Sequence, residues 1–236
     1  MAEKIRYTRK DLKGPDEFIS TFGQIVAWSK ENQLKITAGI LVVVGVLVIT
    51  LGGRAYFQWR DRQAAAEIWP YLNQARMMMA TPGAASPGTI GAMERTLSAL
   101  VSKHKGTKTA LFAQYYLGNM AFGRGDFEVS ASRYSEAIEK AGKKDRLIVF
   151  LLNTGLGSSL EASGDYAGAA DAYGKAADAK GSADLSLRTI AQLDKARVLE
   201  LADKKSEAVA LYRRILEEDP ESTQKSLIEI KIARLE

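Results

Sequence analysis

The chain has 236 residues, no cysteine, one histidine, five prolines and a net charge of +5. The lack of cysteine excludes disulfides and thiolate metal sites, and His104 is the only imidazole for a histidine metal cluster or a Ser-His-Asp triad. Acidic and basic residues alternate along the predicted helices, so no basic block indicates a nucleic-acid partner.

Residues 1–33 form a tail that contains one amphipathic segment. Phe18, Phe22 and Ile25 recur at helical spacing and predict a helix. We expect this helix to end at about Asn32. Two roles stay open: it lies on the membrane surface and contacts another membrane protein, or it only orients the segment that follows.

Residues 34–57 contain a stretch, Ile36–Gly53, of eighteen residues without a charge. As a helix it would be about 27 Å long, close to the thickness of the hydrocarbon core of a bilayer. It is apolar on all sides, unlike an amphipathic surface helix. We expect one membrane-spanning helix at 34–57. It should be retained as an anchor, because the apolar run is longer than that of a signal peptide and no A-x-A cleavage site follows.

Three small residues recur every seven positions in this span, on one side of the helix: Ala38, Gly45 and Gly52. Small side chains let helices approach closely in lipid, so this stripe is a candidate packing surface for a membrane partner. The alternative is that glycine is simply common in spanning helices.

The lysines and arginines around the span bear on its orientation. The tail carries seven of them, whereas the twenty residues after the span carry Arg54, Arg60 and Arg62. The bias disappears when only the nearest twenty residues of the tail are counted, because these contain Lys30 and Lys35 alone. We expect the tail to be cytoplasmic and the larger domain to lie on the other side of the membrane.

Residues 58–106 predict a helical hairpin that leads into the rest of the chain. Gln63–Ala80 is rich in Ala, Leu and Met, and the loop Thr81–Gly91 contains two prolines and three glycines. A second helix follows and ends at Gly106. Met77–Met79 either line an adaptable binding surface or form one helical turn on the core.

Residues 107–221 repeat one pattern at a spacing of 39 residues. Each unit has two small positions, a turn in which glycine favours a left-handed cap, and a later tyrosine. The small positions are Gly118, Gly157 and Ala196, and then Ser130, Ala169 and Ala208; the turns are Gly125-Asp126-Phe127 and Gly164-Asp165-Tyr166; the tyrosines are Tyr134, Tyr173 and Tyr212.

This pattern resembles the tetratricopeptide repeat, a pair of antiparallel helices of about 34 residues, here with about five extra residues between units. The resemblance implies that the small residues lie where two helices cross and that the tyrosines pack towards the following repeat. The third unit departs from the pattern at Lys195 and in its turn, Asp203-Lys204-Lys205, which lacks glycine. Residues 222–236 predict a further helix, which either caps the array or blocks its groove.

In architecture the whole chain resembles the ancillary subunits of the bacterial Sec translocon. These have a short cytoplasmic tail, one span and a tetratricopeptide-like periplasmic domain. The resemblance implies an all-α fold, with a single amino-terminal transmembrane helix followed by a tetratricopeptide-like α-solenoid. It also implies a single-pass protein of the bacterial inner membrane whose carboxy-terminal domain is periplasmic. The implied partners are the translocon, periplasmic chaperones or exported clients, besides the lipid bilayer.

We expect neither an enzyme nor a cofactor. Motifs of zinc proteases, nucleophile elbows and phosphate-binding loops are missing from the sequence. Gly155-Leu156-Gly157 begins like a dinucleotide fingerprint, but Leu160 stands where the third glycine belongs and no strand is predicted before it.

A binding surface is the remaining site, because the first helices of tetratricopeptide arrays line a groove. Its apolar lining favours a hydrophobic or helical partner segment. Only Asn119 matches the clamp with which some members hold a carboxy-terminal carboxylate. The alternative is that several of these side chains pack against the hairpin or the last helix. The expected groove residues are Phe112, Tyr115, Asn119, Phe122, Leu151, Thr154, Ser158, Ile190, Leu193 and Arg197.

The sequence therefore predicts a non-catalytic, membrane-anchored scaffold that binds proteins in the periplasm during export or envelope assembly. The alternative is a membrane-tethered cytoplasmic adaptor that recruits a soluble partner. No nucleic-acid partner is expected.

Overall fold

The computed structural model describes residues 17–81, 86–142, 145–179 and 185–236. Within these ranges the chain forms ten α-helices and no β-strand, which confirms the all-α class. Residues 1–16 of the predicted tail, and the side chains of Phe18 and Phe22, lie outside what is described. The helices are α1 (Glu17–Glu31), α2 (Gln33–Ala80), α3 (Pro87–Lys103), α4 (Lys108–Gly123), α5 (Phe127–Ala141), α6 (Arg146–Ala162), α7 (Tyr166–Asp178), α8 (Leu185–Leu201), α9 (Lys205–Glu218) and α10 (Lys225–Leu235).

The chain divides into two compact units, Met1–Tyr56 and Phe57–Glu236. In the first unit, α1 ends one residue before the predicted Asn32, whose side-chain amide donates a hydrogen bond to the Trp28 carbonyl (2.9 Å). The helix that follows, α2, contains an apolar window of mean hydropathy 2.5 in which no residue is buried. This helix is long and apolar enough to cross a membrane.

The predicted span at 34–57 and the first helix of the predicted hairpin belong to one helix, α2. The sequence suggested two elements because the composition changes from aliphatic to mixed after Gly53. The residues that follow are mostly good helix formers, so the change of composition ends no helix. Pro70 is inside α2 and exposed.

The second unit begins with a buried stripe on α2. Four residues of this helix are buried at intervals of four, four and three, which places them on one side: Ala64, Ile68, Leu72 and Ala75. They form one apolar cluster with Met93 and Leu97 of α3 and with Ala110, Ala113 and Leu117 of α4.

The predicted loop Thr81–Gly91 was too long, because α3 already begins at Pro87. Ser86 is its N-cap and accepts a hydrogen bond from the Thr89 backbone amide (3.3 Å). Proline is well suited to the first helical position, where its missing N–H has no partner to lose. The glycines that suggested a loop are tolerated within the first turns.

Two carboxylates of α2 hold the junction between α3 and α4. Asp61 accepts hydrogen bonds from the Thr109 backbone amide (2.9 Å) and hydroxyl (3.0 Å), in the first turn of α4. Glu67 contacts Lys103 (2.6 Å) and His104 (3.0 Å) at the end of α3. The hydrogen bonds from Lys103 and then His104 lower the pKa of Glu67.

From α4 to α10 each helix packs against the next one along the chain, and α4 also packs against α6. The turns after α4, α6 and α8 each contain a residue with positive φ at the same 39-residue interval: Gly125 (85°), Gly164 (87°) and Asp203 (57°). Their closing hydrogen bonds are also equivalent and run from Asp126 N to Ala121 O (3.0 Å), from Asp165 N to Leu160 O (2.8 Å) and from Lys204 N to Leu199 O (2.9 Å). The third turn therefore keeps the geometry of the other two without glycine.

Two of the three repeated tyrosines pack against glycines. Tyr134 is 1% exposed, and a Cβ atom added at Gly118 or Gly155 would lie 2.5 Å from its ring. A Cβ at Gly157 would lie 2.7 Å from the ring of Tyr173. Tyr134 thus occupies the space that a glycine of its own unit and a glycine of the following unit leave open.

The last helix, α10, packs on α9. It is shorter than the predicted 222–236, because the chain turns at Asp219–Ser222 before the helix starts. Ile228 is fully buried in the cluster that includes Leu211 and Ile215. On its other side, Leu227 and Ile230 are 49% and 65% exposed.

Candidate protein-binding cleft

The ten predicted groove residues lie on α4, α6 and α8, and the structure brings three of them together. Phe122, Ser158 and Arg197, one from each helix, line a cleft of about 400 Å³. The sequence interpretation missed most of the other side chains in its wall: Glu161, Tyr166, Tyr173, Asp194 and Leu201.

The apolar groove residues outside this cleft mostly pack into the core. Phe112, Tyr115 and Leu151 lie against one buried cluster, and Leu193 lies against another. The Phe112 ring is also 6.4 Å from that of Trp69 on α2. This contact agrees with the alternative that some groove side chains pack against the predicted hairpin. Ile190 is 49% exposed but does not line the cleft.

Asn119 and Thr154, the two remaining polar positions, make hydrogen bonds within the fold. Asn119 accepts a hydrogen bond from the Tyr134 hydroxyl (2.6 Å). Thr154 donates to the Phe150 carbonyl one turn earlier (2.9 Å). Asn119 therefore joins α4 to α5, Thr154 bonds within α6, and neither residue lines the cleft.

The equivalent turns place the cleft where helices end. Phe122 and Glu161 are the penultimate residues of α4 and α6, and Leu201 is the last residue of α8. Tyr166 is the first residue of α7. Because each of the three first helices ends at the same point of its unit, the side chains of their last turns meet.

Tyr173 provides a neutral hydroxyl beside the cleft. The hydroxyl donates a hydrogen bond to a Glu161 carboxylate oxygen (3.1 Å), and its oxygen lies 3.1 Å from the Ser158 hydroxyl oxygen. Burial raises the pKa of Tyr173 to about 12, with smaller contributions from nearby carboxylates. The hydroxyl therefore stays protonated at neutral pH and serves as a donor.

Arg197 is already neutralised by two carboxylates. Its guanidinium forms two hydrogen bonds with Glu161 of α6, one of them at 3.0 Å, and another with Asp194 one turn earlier (3.0 Å). The hydrogen bonds that Arg197 donates, to Glu161 first and then to Asp194, outweigh burial and raise the pKa of Arg197. The predicted groove cation is therefore paired, and the cleft has one negative charge in excess.

The repeat spacing contains the signal that would have identified Glu161. Glu200 stands 39 residues later and has the equivalent tyrosine partner, because Tyr212, twelve residues after it, donates a hydrogen bond to it (2.6 Å) as Tyr173 does to Glu161. Asp194 stands where the previous unit has Gly155 and the first unit has Tyr116, and so puts a carboxylate at a repeat position that is uncharged in the other two units. Both features were visible in the sequence as charges at repeat positions.

A second cleft of about 380 Å³ lies between α2, α3 and α4. Met78, Met79 and Met120 line it together with Ile90, Asn119, Gly123 and Arg124. Met78 also packs against the core. The methionine run therefore both lines a cleft and contributes to the core, so each of the two alternatives holds for part of it. Met77 is 72% exposed. Methionine side chains adapt to irregular apolar surfaces.

The described residues contain no group of three or more His, Asp or Glu side chains placed to hold a metal ion. His104, the only histidine, lies beside Glu67 at the end of α3 and away from both clefts. Neither protein-family models nor curated proteins give a match to this chain.

Proposed function

We propose that this chain is a non-catalytic scaffold, anchored in the bacterial inner membrane by the helix at 34–57, that binds proteins through its second unit. In this proposal α4–α9 form a tetratricopeptide-like solenoid with α10 as its cap. The equivalent turns at Gly125, Gly164 and Asp203 support that architecture, because a solenoid repeats one backbone geometry from unit to unit.

The observation that carries the proposal is the cleft to which α4, α6 and α8 each contribute a side chain. Clefts at the junction of several helices are common places for ligands to bind. This one combines exposed apolar side chains, Phe122 and Leu201, with the polar group around Glu161. Such a mixture suits a polypeptide segment, which offers side chains of both kinds.

Attachment to a membrane rests on α2. None of the residues in its apolar window is buried, so the window differs from the core helix of a soluble protein. The proposed orientation puts the tail in the cytoplasm and the second unit in the periplasm. The translocon, chaperones and exported clients are the proposed partners, as the resemblance to Sec ancillary subunits implies.

Photocrosslinking in native membranes tests the binding role. A photoreactive amino acid in place of Phe122, which is 37% exposed at the cleft, should crosslink to export components or exported proteins. The matched control is Val129 on α5, an apolar residue that is 46% exposed and does not line the cleft. Crosslinks from Phe122 to the same proteins that Val129 crosslinks, with no export component or exported protein among them, would refute the proposal.

Protease treatment of spheroplasts tests the orientation separately. A periplasmic second unit should be degraded by protease added outside, whereas a protected unit would support the cytoplasmic adaptor. Lysed spheroplasts provide the control, because there the protease reaches both sides.

A further inference from the structure

The helices that end beside the cleft bias it towards cations. The last turns of α4, α6 and α8 supply Phe122, Glu161 and Leu201 to its wall. The carboxy terminus of a helix carries partial negative charge, because its last carbonyls lack intrahelical partners. The amino terminus of α7 also lies here, but Asp165 caps it and offsets its positive end.

The side chains add to this bias. Glu161 and Asp194 are 20% and 29% exposed and carry two negative charges against the single positive charge of Arg197. A charge pair that is mostly shielded from water interacts more strongly than one in bulk solvent. The cleft therefore presents a negative potential to an incoming group.

The chain itself shows how this arrangement receives a basic side chain. Glu200, the counterpart of Glu161 one unit later, also accepts a hydrogen bond from a tyrosine. In addition it binds two cations of α10, Lys231 (2.9 Å) and Arg234 (2.7 Å). At Glu161 one cation, Arg197, is present, and a cleft lies open beside it.

We propose that the cleft at Glu161 and Asp194 receives a lysine or arginine side chain of a partner polypeptide, for which Arg197 is the internal competitor. This inference rests on the proposed protein-binding function and names the chemistry of its partner. The aliphatic stem of the incoming side chain packs along Leu201, and Phe122 and Tyr166 supply aromatic rings to the same wall, to which a cation is attracted. Arg197 is 42% exposed, so its side chain has room to yield.

Peptide binding to the full-length protein in lipid nanodiscs tests the charge preference. Short fluorescein-labelled helical peptides of Ala and Leu differ at one central position, which is Lys, Arg, Gln or Glu. The Lys and Arg peptides should bind about tenfold more tightly than the Gln peptide at low salt, and this ratio should fall as salt screens the charges. Equal binding of all four, tighter binding of the Glu peptide, or no binding would overturn the inference.

Substitution of the acidic wall locates the site. Asp194→Asn should lower the affinity for the Lys and Arg peptides about fivefold and leave the affinity for the Gln peptide unchanged. Asp171→Asn is the matched control, because Asp171 is exposed and pairs with Lys175 of its own helix. An unchanged affinity in Asp194→Asn would show that the peptides bind elsewhere, which contradicts the inference.

Removal of Arg197, the internal competitor, should change peptide affinity in the opposite direction. Arg197→Met should raise the affinity for the Lys and Arg peptides about fivefold, because Glu161 and Asp194 lose their internal cation. Arg188→Met on the same helix, whose arginine pairs with Glu218, is the control. Weaker binding in a folded Arg197→Met protein would mean that Arg197 itself contacts the ligand. If Phe122 crosslinks proteins while the peptides show no charge preference, the proposed function stands and this inference fails.

Discussion

Asp203 occupies a backbone conformation that the other two turns give to glycine. Its φ of 57° lies in the left-handed region, which a side chain makes unfavourable. Aspartate and asparagine tolerate this region better than most residues, because their short polar side chains can hydrogen-bond locally. The repeat therefore keeps its turn without glycine, at a small cost in stability.

Asp203→Gly should raise the free energy of unfolding by about 0.5 kcal/mol, because relief of the left-handed strain exceeds the entropy that glycine gains in the unfolded chain. Denaturant unfolding of the full chain in detergent, followed by circular dichroism, measures the change. Asp203→Asn is the control and should leave stability nearly unchanged, whereas Asp203→Ala should lower it. A stabilising Asp203→Ala would contradict this account of the turn.

At the scale of the element, α10 is held by charge as well as by apolar packing. Ile228 is its only fully buried side chain among the described residues, and Glu200 joins it to α8 through Lys231 and Arg234. Burial of Glu200 by itself raises its pKa. The hydrogen bonds from Tyr212 and Lys231, together with nearby positive charge, outweigh burial and hold the pKa of Glu200 below its ordinary value.

A carboxyl group whose pKa is lowered by folding stabilises the fold above its unfolded pKa of about 4.3 and loses this contribution as pH falls through the lower folded value. At pH 7 Glu200→Gln should therefore reduce stability by about 1–2 kcal/mol. The difference between wild type and variant should shrink below pH 4.3. Thermal unfolding of both proteins across this range measures it. A difference that stays constant with pH would mean that the charge of Glu200 does not hold α10.

At the scale of the whole molecule, the two units make different demands on their surroundings. The second unit buries its own apolar clusters, whereas the apolar window of α2 leaves its side chains exposed. Exposed aliphatic side chains over the length of a bilayer are stable in lipid and not in water. Within the span, nothing described lies within 4 Å of a Cβ added at Gly45 or Gly52, so both positions are open to a partner helix.

Gly45→Leu with Gly52→Leu should weaken association with a membrane partner and leave insertion intact, because larger side chains prevent close helix approach while increasing hydrophobicity. Quantitative co-purification from gently solubilised membranes measures association, and alkaline extraction checks insertion. Gly39→Leu with Gly53→Leu is a matched control one residue along, about 100° around the helix. Equal co-purification in both double variants would mean that the stripe contacts no partner and that the span only tethers the second unit.

The elements of this chain could be predicted because their signals are local. The helical periodicity, the apolar stretch and the 39-residue repeat identified nearly every helix, and the errors lie at helix ends. The helix α3 begins at Pro87, capped by Ser86, although two glycines in its first turns suggested a loop. The change of composition between the predicted span and Gln63 was mistaken for the end of a helix, whereas α2 continues through it. Of the groove, the three helices were predicted, but only Phe122, Ser158 and Arg197 meet in the cleft.

The all-α class and the apolar helix follow from residues within a few helical turns of one another, and the repeat follows from one pattern that recurs every 39 residues, so all three could be identified without a structure. Which charges meet depends on how distant helices pack. Arg197 lies 36 residues from Glu161, and Lys231 lies 31 residues from Glu200, so each pair forms only when two separate helices pack. Packing turned the predicted groove cation into a neutralised one and left the excess charge of the cleft negative, because Glu161 and Asp194 both lie within reach of Arg197.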